Sequence, residues 1–400
     1  MILDMKIQNG TKKKRCCALL ATIVCICVTI GIVVSMTSKS SASMYGDGTV
    51  GNGVCKNSTL CCSKWGYCGS SDEHCGITKA PDPPTPVQSV NDSRLVAYVG
   101  NWQVCPTFEQ YENYTHIVIA YAVSYIWAPN KNLCSNTCTI RTSTICGNSL
   151  NNGLIQAWQQ SGKKVMISFG GAGMGGTWKG DVNNCWEYCF GRENDIVARL
   201  TEIVTSLSLD GVDVNYLYFY EDGQYDSNFT KGAIAQTFLK NLTLGLRKSL
   251  PPGSLISHSV KDAHVVPKSA YFSVLSDVSS SIDFLMVGYF NGFARPVLDG
   301  IEGIGHGSIS TLSHYKTLVD HLFQSDATKV VFGFCISDCD SANSSATGLE
   351  ASAVMTNLNR HYSCNGGAYF WVAKHDINGM WSSKISPVLQ NNAGCSNRVQ

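Results

Sequence analysis

Eight short runs of apolar, β-branched or aromatic residues recur between Arg94 and Asp376. They read LVAYVGNW (95–102), HIVIAYAVSY (116–125), KVMISFGG (164–171), LDGVDVNYLYF (209–219), SLISHSV (254–260), DFLMVGYFNG (283–292), KVVFGFCIS (329–337) and GGAYFWVAKHD (366–376). Several intervals between them carry helical spacing, such as DIVARLTEIVTSL (195–207) and AIAQTFLKNLTLGLRKSL (233–250). Apolar strands alternating with amphipathic helices predict a parallel sheet covered by helices. Eight strands in about 290 residues suit an α/β fold of the TIM type, a closed (β/α)8 barrel, better than an open doubly wound sheet. No GxGxxG loop follows the first strand, which argues against dinucleotide binding, and no cofactor is expected. The C-terminal strand ends of such a barrel carry its chemistry. Trp102, Gly170-Gly171, Asn215-Tyr216-Leu217, Phe290-Asn291 and Trp371 fall there.

The first ninety residues have a different texture. Residues 16–36, CCALLATIVCICVTIGIVVSM, hold no charge in 21 positions and follow Lys12-Lys13-Lys14-Arg15. At about 1.5 Å per residue a helix of that length crosses a hydrocarbon core of roughly 30 Å. The basic flank predicts a type II signal anchor, with residues 1–15 cytoplasmic and the rest extracellular or lumenal. The alternative is a signal peptide cleaved near Ser41-Ala42-Ser43 and a secreted product, although the apolar run exceeds the usual signal length. Residues 46–76 are rich in Gly and Cys without hydrophobic periodicity, as expected of a small module stapled by disulfides. Residues 77–93, with four prolines between Pro81 and Pro86, read as a semi-extended linker to a barrel spanning 94–395.

Composition narrows the partners. A formal charge of +1 gives no basic surface for nucleic acid. Nineteen cysteines and the six Asn-x-Ser/Thr sequons beyond the apolar run, at Asn57, Asn91, Asn113, Asn228, Asn241 and Asn343, fit a glycoprotein of the secretory route, while the sequon at Asn9 would be cytosolic and unused. The barrel cysteines Cys134, Cys138, Cys146, Cys185, Cys189, Cys335 and Cys339 read as loop staples whose connectivity stays open. No CxxC pair is present and the histidines are scattered, so no metal site is expected.

Two stretches carry chemistry. CKNSTLCCSKWGYCGSSDEHC (55–75) displays Ser63, Trp65, Tyr67 and His74 between cysteines spaced C-x5-CC-x5-C-x6-C. Flat rings held rigidly can stack on the C–H faces of sugars, while neighbouring Ser and His groups meet hydroxyls. The same aromatics could instead fill the module's own interior. In DGVDVNYLYF (210–219), Asp213, Asn215 and Leu217 share one strand parity, with Asp210 ahead of them. Acids converging on one point suit proton transfer, yet this row ends on a leucine.

The cysteine-rich stretch resembles hevein-type chitin-binding modules. The resemblance implies N-acetylglucosamine contacts by Ser63, Trp65, Tyr67 and His74, the last where an aromatic residue is common. It further implies the pairs Cys55–Cys68 and Cys61–Cys75. The family's first cysteine is missing near Val50, which leaves Cys62 without its usual partner. The barrel resembles glycoside hydrolase family 18. DGVDVNYLYF is similar to the fourth-strand signature DGxDxDxE, SFGG (168–171) to the third-strand element, and MVGYFN (286–291) to the sixth. Trp371 is similar to the eighth-strand tryptophan that floors the sugar site. The resemblance implies hydrolysis of β-1,4 N-acetylglucosamine linkages. The final glutamate would act as proton donor and the substrate's own acetamido oxygen as nucleophile.

Carried over residue by residue, the signature is degenerate. Asp210 and Asp213 are kept, the third aspartate is Asn215, and the acid position is Leu217. Phe290 replaces the tyrosine expected to hold the acetamido oxygen, and Gly288 stands where related plant enzymes carry glutamine. Losing a general acid alone costs roughly 10²–10⁴-fold. The expectation is therefore a membrane-anchored, catalytically inactive protein that binds chitin or N-acetylglucosamine oligomers, with Trp371, Trp102 and Asn291 lining the barrel cleft. A glycosidase rewired through Glu221 is the first alternative. A barrel that binds a protein partner, as inactive relatives that inhibit other hydrolases do, is the second.

Overall fold

The structure, a computed structural model, describes residues 61–62, 68–69, 93–100, 111–142, 145, 152–177, 181–218, 231–290, 292–305, 309–337 and 345–390. The chain divides into two compact units with a break after Gly76. Of the first unit, the structure describes a two-stranded antiparallel pair in which Cys61 faces Gly69 and Cys62 faces Cys68. Ser63, Trp65, Tyr67, His74, Cys55 and Cys75 lie outside the described residues, as does the apolar run 16–36. No helix among the described residues is long and apolar enough to cross a membrane.

The second unit is a closed barrel of eight parallel strands. They are β1 (Arg94–Gly100), β2 (His116–Ala122), β3 (Lys164–Gly170), β4 (Gly211–Asn215), β5 (Leu255–Lys261), β6 (Phe284–Gly288), β7 (Val330–Cys335) and β8 (Gly367–Trp371). Each pairs with the next in chain order, and Gly367 of β8 opposite Arg94 of β1 closes the ring. All eight coincide with the apolar runs, because strands buried on both faces leave little room for polar residues. Several runs outlast their strands: β4 ends at Asn215 and β6 at Gly288, so Leu217 and Phe290 follow their strands instead of lying within them.

Helices α1 (Asn152–Gln160), α2 (Glu193–Ser206), α3 (Gly232–Ser249), α4 (Ala270–Val278), α5 (Thr311–Phe323), α6 (Gly348–His361) and α7 (Ser382–Gln390) connect the strands from β2 onward and follow β8. Thr347 starts α6 with a capping box, accepting from the Glu350 amide while the Glu350 carboxylate accepts from the Thr347 amide. Two separate cores result. A large one lies between the sheet and the helices, including Val212, Val214, Leu239 and Leu318. A small one fills the barrel with Val96, Tyr98, Val118, Met166, Phe284, Met286, Val331 and Tyr369. Odd and even positions of each strand divide between these cores, and that parity decides which side chains can reach the barrel mouth.

Candidate functional site

The inward face of β4 carries Asp213 and then Asn215. Asp213 is fully buried and takes hydroxyl donors from three other strands, its neighbours β3 and β5 and, across the barrel, β1. Tyr98 Oη (2.9 Å) and Ser168 Oγ (2.6 Å) donate to Oδ2; Ser257 Oγ and Ser259 Oγ (both 2.9 Å) donate to Oδ1. Burial pushes the carboxyl above the usual carboxylate range, and the four hydroxyls pull partly the other way. Its supports are side-chain hydroxyls, not the backbone donors that a buried structural acid commonly uses.

Two glycines let β3 and β4 meet at the top. A side chain at Gly170 would strike Asn215 O and the Trp186 ring, and one at Gly171 would strike the Tyr121 ring. Both have positive φ, which suits glycine. Gly171 N then donates to Asn215 O at 2.8 Å. Gly211, at the other end of β4, lies so close to Leu255 O that a Cβ would overlap it.

Above Asp213 opens a pocket of about 280 Å³. Its walls are aromatic: Tyr98, Tyr121, Phe290, Tyr369 and Trp371. Trp371 stacks on Tyr121 with rings 6.1 Å apart and 20° from parallel. Asn215, Leu217, Ser259, Lys261, Thr177 and Gly288 complete most of the lining. Tyr369 takes the space that glycines leave on two strands, since a Cβ at Gly288 or Gly333 would press on its ring or hydroxyl. Among the described lining residues none is Asp or Glu.

Asn215 is buried, and its Oδ1 finds no hydrogen-bond partner among the described residues. Lys261, ending β5, donates from Nζ to Thr177 O. Burial lowers its amine to about 8. Nearby carboxylates are engaged elsewhere. Asp181 accepts from the Thr177 hydroxyl at 2.8 Å, and Glu187 accepts from Tyr218 Oη at 2.8 Å and pairs with Lys231 at 2.9 Å. Asp262, buried and raised to about 7 by desolvation, accepts from the Ala263, Phe293 and Ala294 amides.

The structure brings Asn215, Leu217, Phe290 and Trp371 together at the pocket, with Asp213 beneath. It does not bring Asp210 there. Five residues earlier, at the N-terminal end of β4, Asp210 pairs with Lys164 Nζ (2.9 Å) and accepts from the Val165 amide (2.9 Å) and Gln159 Nε2 (3.1 Å). A strand advances about 3.3 Å per residue, so the first acid of the signature fastens the barrel's far end and is not a site residue. Trp102, Glu221 and Asn291 lie outside the described residues. Nothing in the motifs singles out Tyr98, Tyr121, Ser259, Lys261 or Tyr369, which the fold brings to the pocket. Period-2 parity could have found Tyr369, two residues before Trp371, and Lys261, two after Ser259.

Of the sequons, Asn113 and Asn241 fall among described residues. Asn113 is half-buried and donates from Nδ2 to Ser382 Oγ at 3.3 Å, whereas Asn241 is exposed on α3. The rim between β2 and β3 is stapled by Cys134–Cys185 and Cys138–Cys189, bridges that join two loops instead of closing either one. Cys335 is also in a disulfide.

Comparison with curated proteins gives no match. Among solved structures, a GH18 chitinase from Pseudoalteromonas aurantia superposes with a TM-score of 0.55 at 23% identity, over 74% of this chain and 100% of that one. A chitinase from Rhizomucor miehei gives 0.53 at 14% identity, over 74% and 99%. A family GH18 chitinase from Chromobacterium violaceum gives 0.51 at 18%, over 74% and 83%. These likenesses establish the fold. The family profile of chitin recognition protein matches residues 46–80, and that of glycosyl hydrolases family 18 matches residues 94–375. With most of its length in that second match, the chain belongs to glycosyl hydrolases family 18 and carries a hevein-type chitin recognition module ahead of its chitinase-like barrel.

Proposed function

We propose that this protein binds chitin or N-acetylglucosamine oligomers at a membrane surface and does not hydrolyse them. The observation that carries the reading is Leu217 on the wall of a pocket with no carboxylate in its described lining. Cleavage of a glycosidic bond needs a proton on the departing oxygen, and an isobutyl side chain has none to give. Asp213 lies under the pocket floor with both oxygens occupied by hydroxyls. Asp262 is sealed by backbone amides. Lys261 adds a second objection: the family's transition state gathers positive charge at the sugar ring, which an ammonium in the same pocket repels. Stacking survives these losses, because Trp371, Tyr121 and Phe290 still present apolar faces. The module supplies the polymer contact through Trp65 and Tyr67, and residues 16–36 serve as the signal anchor.

The test uses the full chain in detergent, with insoluble chitin and a soluble N-acetylglucosamine hexamer. Retention on chitin without release of shorter products is expected. Product release that disappears in Trp371→Ala would overturn the inactive reading. Extraction of the protein from membranes by alkaline carbonate would overturn the anchor.

A further inference from the structure

Three observations in the pocket point in one direction. First, the walls suit a sugar ring, being aromatic on several sides and closed below by the hydroxyl cage of Asp213. Second, Lys261 lines the pocket and no Asp or Glu does among the described residues, while the carboxylates of Asp181 and Asp262 act on its amine from outside the lining. Third, Asn215 Oδ1 is a buried polar atom without a partner among the described residues, on a side chain 94% removed from solvent. A buried amide oxygen is normally hydrogen-bonded, and a ligand hydroxyl or N–H placed there would supply the partner.

An ammonium has three N–H donors. Lys261 spends one on Thr177 O, and no other hydrogen bond from it is found among the described residues. A neutral chitin oligomer offers that amine only hydroxyl and carbonyl oxygens. An ionised oxygen would answer it with a charge-assisted bond, roughly twice as strong as a neutral one. In a pocket with largely apolar walls such a pair is screened less than at the surface.

We propose that the barrel pocket selects a sugar bearing an anionic substituent, with Lys261 meeting the anion and Asn215 a neighbouring hydroxyl or N–H. This rests on the barrel being a binder and not a hydrolase. The shared chemistry is an ionised oxygen on a hexose ring, from either a uronate carboxylate or a sulfate ester. The pocket's volume, just under the range of about 300–1,000 Å³ usual for ligand sites, suits a short saccharide segment.

Calorimetry on the full chain in detergent tests this, with Trp65→Ala and Tyr67→Ala silencing the module. Three tetrasaccharides serve as probes: N-acetylglucosamine alone, N-acetylglucosamine alternating with glucuronate, and a sulfated N-acetylglucosamine oligomer. The expected result is binding of at least one anionic probe about tenfold tighter than the neutral one. Lys261→Gln should remove that preference, and Lys261→Arg should keep it. The carboxylate and sulfate arms identify the source of the anion. Equal or tighter binding of the neutral probe in wild type would overturn the proposal and leave chitin binding by the barrel intact. If no probe binds, or if Trp371→Ala changes nothing, the barrel is not a sugar binder and both readings of the pocket fall.

Discussion

Ser168 Oγ on β3 donates to Asp213 Oδ2 on β4 at 2.6 Å, and the same carboxyl takes Tyr98 from β1 and Ser257 and Ser259 from β5. One side chain thus ties four strands at the centre of the barrel. That gives a physical reason for Asp213 to remain in a signature that has lost its acid: removing it leaves four buried hydroxyls short of an acceptor. Asp213→Ala is expected to lower unfolding free energy by about 2–4 kcal/mol. Leu217→Ala, at a half-exposed position, should cost under about 1.5 kcal/mol. Urea titration of both variants checks the contrast, and equal midpoints would mean that the cage contributes little.

Returning the missing groups should return some chemistry. Leu217→Glu with Asn215→Asp and Phe290→Tyr supplies a proton donor, a carboxylate and a phenol at positions that already meet in one pocket. Product release from an N-acetylglucosamine hexamer is expected to rise at least about 10²-fold over wild type. Adding Lys261→Gln should raise it further by removing a charge that opposes the transition state. A silent variant that still binds the hexamer would show that proton donation is not what the pocket lacks.

Stability should fall in mild acid. Burial lowers His258 to about 3, His264 to about 3 and His314 to about 4. His258 illustrates the cause: it is wholly removed from water, with Nε2 3.0 Å from the Thr243 hydroxyl and Nδ1 3.0 Å from Tyr271 Oη, so a charged ring would lose its hydration there. Between about pH 6.5 and 4 the unfolded chain binds protons that these rings refuse, and stability drops as pH falls. Asp262 acts oppositely. Raised to about 7, it holds a proton in the folded chain that the unfolded chain releases above about pH 4, so its contribution favours folding as pH falls. His258→Gln should therefore flatten the acid loss and Asp262→Asn steepen it, as read from melting temperature across pH 4–7.

The two rim bridges should be redundant. Each spans 51 residues of sequence, with its cysteines four residues from those of the other on both loops. Cutting one leaves the second to hold nearly the same loop closed. Cys134→Ser with Cys185→Ser is expected to cost under about 1.5 kcal/mol, and loss of both bridges about 3–4 kcal/mol. Thermal melts of this variant, of Cys138→Ser with Cys189→Ser, and of the variant lacking both bridges decide this, and additive losses would count against redundancy.

Expression through a secretory pathway should place a glycan on Asn241 and little on Asn113. The first is exposed on α3, while the second donates its amide hydrogen to Ser382, the first residue of α7. Glycopeptide mass spectrometry checks both positions. Heavy occupancy at Asn113 would mean that the sequon is modified before β1 and α7 come together.

The strands were legible because parallel barrel strands are buried on both faces, and a short, unbroken apolar run such as FLMVG suits little else. Asn215, Leu217, Phe290 and Trp371 were legible by their places at strand ends. Asp210 was misread, since adjacency in a motif hides the length of the strand between its first and last residues. The hydroxyl cage was invisible: Ser168, Ser257 and Ser259 are ordinary residues until three strands bring them to one carboxyl. Lys261 carried no signal beyond its parity, because a lysine after a strand is usually a solvated end. The pairing of Cys134 with Cys185 depended on two loops meeting, which local spacing does not encode.

The separation of the barrel's two cores bears on how such a protein can change its occupation. The pocket stands on the small inner cluster around Tyr98 and Tyr369, while the helices are gripped by the larger outer one. An edit at Leu217 or Phe290 alters what meets a ligand without touching the side chains that dock α2 to α7. The scaffold can therefore surrender a reaction and keep its shape, which makes the step from cutting a polymer to holding one short in sequence.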